Sequence, residues 1–212
     1  MKKFFSMILA AGMLLMGADA FAQISAGAGY IGATDVIKAG GKVQDPAKSN
    51  GFYAGAAYDI EVISNVFMTP GVEFRMLSAV ESYPYLGEGR MSQMGVAVPV
   101  DFKYVFPITS SIKVYPVLNV TFNVGISNTF TLGDAKYDYY AGKLTAGNIS
   151  VTDLGQLNRF DIAAGVGAGV DLFEKLRIKG GYNWGAINLN KDGDADNSRF
   201  RNYFYVGAAF LF

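Results

Sequence analysis

The sequence predicts an all-β fold, an eight-stranded antiparallel up-and-down transmembrane β-barrel, and three observations carry that expectation. Apolar and polar residues alternate with period two over segments bounded by turn residues, the pattern of strands with one face to lipid and one to a lumen. The connections between these segments are alternately long and short. Charged residues make up 17% of the chain, below the ~25% usual for soluble domains, yet no apolar run beyond the N-terminal region approaches the roughly 20 residues of a spanning helix. In hydrocarbon only helices and closed barrels satisfy their own backbone groups.

The N-terminus reads as an export signal. Lys2 and Lys3 precede the stretch Phe4–Ala18, apolar apart from Ser6 and the glycines, and Ala20-Phe21-Ala22 supplies a small-x-small cleavage site. Residues 1–22 are expected to be removed and residues 23–212 to form one barrel domain. Setting aside Lys2, Lys3 and Asp19 from the 18 basic and 18 acidic residues leaves 16 and 17. Such balance excludes nucleic acid as a partner, because no basic surplus exists to neutralise phosphates. The absence of Cys removes lipid attachment and disulfides.

The alternation defines the strands in order. The first, Ile24–Ala33, places Ile24, Ala26, Ala28 and Tyr30 on one face. The second, Gly51–Val62, turns Phe52, Ala54, Ala56, Tyr58 and Ile60 to lipid and Tyr53, Asp59 and Glu61 inward. After an Ile63-Ser64-Asn65 turn, the third presents Val66, Met68, Pro70, Val72, Phe74 and Met76 outward against Thr69, Gly71, Glu73, Arg75 and Leu77. The fourth, Met91–Phe106, has Met94, Val96, Val98, Val100, Phe102, Tyr104 and Phe106 outward, with Gln93, Asp101 and Lys103 inward.

Pro107–Ser111 turn the chain into the fifth strand, with Val114, Leu118, Val120, Phe122, Val124 and Ile126 outward and Tyr115, Asn119, Thr121 and Asn123 inward. The sixth, Asn158–Phe173, carries Arg159, Asp161 and Asp171 inward. Beyond the Glu174-Lys175 turn, the seventh sets Ile178, Tyr182 and Trp184 against Arg177, Lys179 and Asn183. The eighth, Phe200–Phe212, sets Phe204, Val206, Ala208, Phe210 and Phe212 against Arg201, Tyr203, Tyr205, Gly207, Ala209 and Leu211. Pro70, Pro99 and Pro116 fall inside strands, where proline forfeits a ladder bond, so bulges or shifted strand limits are expected there.

Strand charges share one parity. Glu73, Arg75, Asp101, Lys103, Asp161, Asp171, Arg177, Lys179 and Arg201 form a lumenal set, with Asp171 expected directly opposite Arg177 across the short turn. Buried charges must pair or reach water, and inward glycines such as Gly167, Gly181 and Gly207 leave room for long side chains. Aromatics gather at the ends of the outward faces, as interfacial belts require. Thr34–Asn50, Ala79–Arg90, Ser127–Leu157 and Ile187–Arg199 read as long loops, and long loops with short opposite turns distinguish extracellular from periplasmic ends.

The mature chain resembles the small eight-stranded outer-membrane β-barrel proteins of Gram-negative bacteria, of the OmpX/OmpA type and the PorT-like barrels of Bacteroidetes. The segment Tyr205-x-Gly207-x-x-Phe210-x-Phe212 is similar to the insertion signal of that class. The resemblance implies residence in the outer membrane, contact with its lipid, and insertion by the barrel-assembly machinery. The protein is expected to be a monomer, with an extracellular partner reached through its loops.

No enzyme, cofactor or metal is expected. The chain has no His, which removes Ser-His-Asp systems and His-ligated zinc; the barrel phospholipases, acyltransferases and omptin-like proteases use that residue. Gly165-x-Gly167-x-Gly169 fails the dinucleotide fingerprint because position 170 is Val within a strand. Asp192-Gly-Asp194-Ala-Asp196-Asn197 has Asn at position six and Tyr203 at position twelve, where a calcium loop wants Gly and Glu. The expected role is structural or surface-interacting, through a packed polar interior and exposed loops. Two alternatives stand beside it: a narrow channel for small solutes, and a soluble lipocalin-like barrel with its apolar face turned inward. Tyr137, Tyr139 and Tyr140 make the longest loop a candidate contact surface.

Overall fold

The computed structural model describes residues 23–85, 87–152 and 154–212; the expected signal segment lies outside them. Eight long strands dominate: β1 Gln23–Ala39, β2 Ala47–Ile63, β3 Val66–Tyr83, β4 Gly87–Tyr104, β5 Ile112–Leu132, β6 Phe160–Leu172, β7 Leu176–Gly185 and β8 Ser198–Leu211. Each pairs antiparallel with its sequence neighbour. β8 pairs with β1 over Ser25↔Leu211 through Lys38↔Ser198, which closes the ring. Closure leaves no sheet edge in the membrane, where an unpaired edge would be strongly unfavourable.

Side-chain parity follows the alternation. Phe52, Val72, Met76, Leu118, Val166, Trp184 and Phe204 are exposed on the outside, while Asp59, Thr69, Asp101, Asn119, Asp171 and Asn183 are buried inside. A soluble lipocalin-like barrel needs the opposite arrangement, so that alternative falls. Outward rings cluster at both ends. Tyr30 packs on Phe52 and Phe204 at 6.2 and 5.7 Å, and Tyr182 on Trp184 at 5.0 Å, toward the loop end. Tyr104–Phe106 and Phe210–Phe212 pair at 4.7 and 5.0 Å toward the turn end.

The turns use local chemistry. Asn65 takes a φ of 65°, a left-handed conformation that Asn tolerates, and its N–H donates to Glu61 Oε1 at 3.1 Å. In the β6–β7 hairpin Phe173 and Glu174 are both left-handed, at 53° and 58°, and Lys175 N–H donates to the Leu172 carbonyl at 3.1 Å, a type I′ pattern. Two consecutive non-glycine residues in that region cost on the order of 1–3 kcal/mol each. Ties to neighbouring strands offset this: Phe173 N–H donates to Ser111 O at 2.7 Å and Leu211 N–H to Lys175 O at 2.8 Å.

Several sequence boundaries are corrected. Most of Thr34–Asn50 and Ala79–Arg90, expected as loops, continues the strands beyond the aromatic belt, because the alternation persists there with polar residues on both faces. The fourth strand ends at Tyr104; Phe106–Thr109 forms a separate short strand against β5, so the turn expected at 107–111 narrows to its last residues. β6 starts at Phe160, and Arg159 just before it is exposed in part yet lines the upper cavity, its guanidinium 4.6 Å over the Tyr140 ring. Pro70, Pro99 and Pro116 sit in register against Val100, Thr121 and Ala168. The bulges lie instead between Glu61 and Ile63, Met94 and Gly95, and Pro107 and Thr109.

The long Ser127–Leu157 connection is largely ordered sheet. β5 runs on to Leu132, and Ala135–Asp138, Lys143–Ala146 and Ile149–Val151 continue from it as an antiparallel meander. Gly133, Gly142 and Gly147 supply the left-handed turn positions. These strands rise above the ring.

The two parts differ in solvent, which yields a contrast. Val120→Arg, on the lipid face of β5, is expected to cost about 2–4 kcal/mol, the penalty for an arginine near the bilayer midplane. Val151→Arg, on the extramembrane meander, is expected to change stability by less than about 0.5 kcal/mol. Urea unfolding from lipid vesicles checks both, and equal costs would contradict the assigned membrane band.

Candidate functional site

The lumen is built as three stacked polar layers. In the layer nearest the short turns, Arg177 of β7 lies between two carboxylates. It donates to Asp171 through Nε and Nη2, both at 2.8 Å, and to Asp59 through Nη1 and Nη2 at 3.1 and 2.8 Å. Asp171 and Arg177 are cross-strand partners of the β6–β7 hairpin; Asp59 reaches them from β2, across the barrel. Lys103 Nζ adds a bond to Asp59 at 2.6 Å, Thr69 Oγ1 one at 2.7 Å, and Tyr115 Oη donates to Asp171 at 2.9 Å. Asp59, Lys103, Asp171 and Arg177 are all buried.

The middle layer joins β3, β4, β5, β7 and β8. Lys179 Nζ meets Asp101 Oδ2 at 2.5 Å, and Asn119 donates to the other oxygen of Asp101. Thr121 Oγ1 donates to Asn119 Oδ1 at 2.6 Å, and Asn183 Nδ2 reaches Asn119 and Tyr203. Glu73 and Arg75, two residues apart on one strand face, pair at 2.7 Å, and Arg75 also donates to Asn123 at 3.0 Å. In the layer nearest the loops, Asp35 accepts from Arg199 Nε at 2.7 Å and from Arg201 Nε and Nη2 at 2.6 and 2.7 Å; Arg201 also donates to Gln93.

Asp161 stands apart in that upper layer: it is buried and its Oδ1 has no hydrogen-bond partner. Lys103 and Arg201 find acids outside the residues that sequence reasoning set in the lumenal network. Asp35 and Arg199 were assigned to loops, although each continues the inward parity of its strand: Ile31, Ala33, Asp35 and Arg199, Arg201, Tyr203. With them the lumen holds two acids and two bases per layer, Asp59 and Asp171 with Lys103 and Arg177, Glu73 and Asp101 with Arg75 and Lys179, Asp35 and Asp161 with Arg199 and Arg201. Each layer is neutral.

Glycines seat the lumenal rings. A Cβ on Gly207 would lie 2.2 Å from Tyr53 Oη, and one on its cross-strand partner Gly29 would lie 2.5 Å from the same ring. Gly181 and Gly167, also partners, would meet Tyr205 Oη at 2.7 and 3.2 Å. Cations then lie over these and neighbouring rings: Lys179 over Tyr205 at 5.3 Å, Arg75 over Tyr203 at 4.8 Å, Lys103 over Tyr115 at 5.0 Å. Of the terminal motif, Tyr205 and Gly207 therefore face the lumen. Phe210 and Phe212 lie outside at 48% and 72% exposure, and Phe212 N–H donates to Ile24 O across the β1–β8 seam at 2.9 Å.

These layers leave two cavities of about 60 Å³ each, one on either side of the middle layer. Such a space holds a few waters at roughly 10–15 Å³ apiece. The turn end opens into a funnel of about 470 Å³ floored by the Asp59–Lys103 pair. The loop end is covered. β7 stops at Gly185, so the upper residues of β8 pair only with β1. Segments around 157 and 189 fill the gap, with Leu157 and Leu189 buried and Asn158 N–H donating to Leu189 O at 2.7 Å. Tyr140 folds down onto Gly125, where a Cβ would clash with its hydroxyl, and burial pushes its phenol above the ordinary value.

Above this cover lies a groove of about 330 Å³ between the meander and the β7–β8 loop. Tyr137 and Tyr139 form one wall, their rings 4.7 Å apart and edge to face. Asn190, Lys191 and Asp192 form the opposite rim. Asp194, next to it, is committed to the loop itself: it accepts from the amides of Asn197 and Asp196 at 2.7 and 3.0 Å, which hold its carboxyl below the usual range. Among the described residues no group of three or more acidic, His or Cys side chains could hold a metal.

The layers predict unequal costs for losing an acid. Asp59→Leu leaves Arg177 and Lys103 buried and short of a partner, an expected loss of about 3–5 kcal/mol. Asp161→Asn removes a carboxylate that lacks a direct cationic partner, and is expected to cost about 1 kcal/mol or less. Thermal unfolding in lipid vesicles separates the two; a larger loss at Asp161 would contradict the layer assignment.

A family model described as an outer membrane protein beta-barrel domain matches residues 20–191. No curated protein matches the chain. Among solved structures it is similar to Ail, the attachment invasion locus protein of Yersinia pestis, at 15% identity and a TM-score of 0.48 over 90% of this chain and 98% of that one. Neisserial surface protein A gives 15% identity and 0.48 over 90% and 97%. The outer membrane protease OmpT of Escherichia coli gives 10% identity and 0.44 over 90% and 95%. With its ring closed, its outer face apolar and its family model spanning most of the chain, the protein belongs to the outer-membrane β-barrel domain family and resides in the outer membrane.

Proposed function

We propose that this protein is a non-catalytic, monomeric barrel that acts at the cell surface through its extracellular meander and loops and passes no solute. The carrying observation is the neutral, cross-bridged lumen, whose three layers connect opposite walls and leave only small separate cavities. Catalysis is disfavoured by the chemistry present. The chain lacks His, and five of the six lumenal acids bond directly to cations. An acid held by two guanidinium bonds is a poor proton acceptor.

Single-channel recording in planar bilayers tests the sealed lumen. Purified protein is expected to give no reproducible open level, and a variant with Asp59→Ala, Arg177→Ala and Asp171→Ala together is expected to stay closed, because the middle and upper layers are held by ion pairs of their own. A stable conducting state of the unmodified protein would overturn this reading and favour the small-solute channel.

The terminal motif Tyr205, Gly207, Phe210 and Phe212 is assigned the role of address for the barrel-assembly machinery. Support comes from position: the outward Phe210 and Phe212 sit at the seam where the last strand meets the first. Phe212→Ala with Phe210→Ala is expected to slow assembly by that machinery in reconstituted vesicles several-fold, with Phe204→Ala close to unchanged. Equal rates for all three would remove the assignment.

A further inference from the structure

The extracellular groove between the meander and the β7–β8 loop combines features that the sealed-barrel reading leaves unused. Its tyrosine wall is rigid. Tyr137 Oη donates to the Gly155 carbonyl, and Tyr139 N–H donates to Asn128 O at 3.0 Å. The Arg199 guanidinium backs the Tyr139 ring at 5.6 Å, and Arg199 is itself fixed by Asp35 in the upper lumenal layer. The rings therefore lose little freedom on binding, the condition under which tyrosine contributes most.

The opposite rim is amphoteric. Asn190 Nδ2 is used by the Asn197 carbonyl at 3.2 Å, which leaves its Oδ1 as an acceptor. Lys191 Nζ gives one bond to Gln156 Oε1 at 2.8 Å, with further donor capacity. Asp192 is exposed and acceptor-only when ionised. Lys191 and Asp192 offset each other at the rim, and Arg199, the other cation of the lining, is neutralised by Asp35. Leu157 lines the floor, and the volume falls at the lower end of the range for small-molecule sites.

We infer that this groove binds a neutral hexose unit of a surface or matrix glycan. A pyranose has an apolar C–H face that lies against an aromatic ring, and hydroxyls that both donate and accept. That pairing matches a wall of fixed tyrosines facing a rim of amide, ammonium and carboxylate. A polysulfated sugar would meet Asp192 with only Lys191 uncommitted to a carboxylate, since Arg199 is held by Asp35. The inference rests on the reading of the barrel as a surface-contact protein and supplies its chemistry.

The test uses the full mature chain in lipid nanodiscs over immobilised maltohexaose, cellohexaose, mannohexaose and chitohexaose, with sucrose octasulfate as an anionic control. At least one neutral oligosaccharide is expected to be retained, with about tenfold or greater weakening in Tyr139→Ala and in Asn190→Ala. Heat-modifiable migration on gels confirms that each variant is folded. No retention of any neutral sugar, retention of the sulfated sugar alone, or equal retention by Tyr139→Ala overturns the assignment. In parallel, adhesion of cells displaying the protein is compared with cells displaying a form whose residues 133–157 are replaced by a short turn. Adhesion lost with the loop but with a blank sugar panel refutes the glycan site and leaves the surface-contact reading standing; loop-independent adhesion removes both.

Discussion

The bridge from Asp59 through Arg177 to Asp171 is the constraint on which the barrel interior depends. Closing eight strands leaves a lumen too narrow for a water-filled channel and too wide to be filled by small side chains alone. Filling it with apolar residues would blur the distinction between lipid face and lumen face that fixes strand register. Charged residues resolve this when every layer is neutral and each cation has a carboxylate partner, since an uncompensated buried ion is strongly destabilising. Arg177 meets the requirement by reaching one carboxylate on its own hairpin and one across the ring. The guanidinium fork makes this geometry available where a lysine ammonium would not.

The same interior explains the glycine pattern. Long cations and tyrosine rings need depth that a narrow ring does not offer, and cross-strand glycine pairs supply it. Tyr53 against Gly29 and Gly207, and Tyr205 against Gly167 and Gly181, bring rings flush with the wall. The cations can then lie over their faces. The terminal motif inherits this: Gly207 serves interior packing, whatever reads Phe210 and Phe212 from outside.

Within the membrane the fold was legible in the sequence because one rule, strict alternation, governs every residue there. The face of Phe52, Leu118 or Asp101 follows from parity alone, and the Asp171–Arg177 pair follows from parity plus a short turn. Legibility failed where lipid ends. Above the belt both faces of a strand meet water, alternation loses its apolar half, and Asp35 and Arg199 looked like loop residues. Pairings across the ring, such as Asp59 with Arg177, were also hidden, since they depend on which strands face each other after closure. The prolines misled because the ladder skips the Gly71–Pro99 and Tyr58–Pro70 pairs with no change of register, so the lost donor is absorbed without a bulge.

A lumen filled by paired charges shifts the expression of function to the rim, and the architecture couples the two. Arg199 is the joint: below, it completes the upper charge layer with Asp35; above, it supports the Tyr139 ring of the groove. The short β7 follows the same logic. Ending at Gly185, it opens a gap in the upper wall that the segments around Leu157 and Leu189 close from outside, and those segments also floor the groove. The plug and the candidate binding surface are therefore one structure. Loosening the upper layer would disturb the groove before it opened a path through the barrel, because the middle and lower layers are held by independent ion pairs.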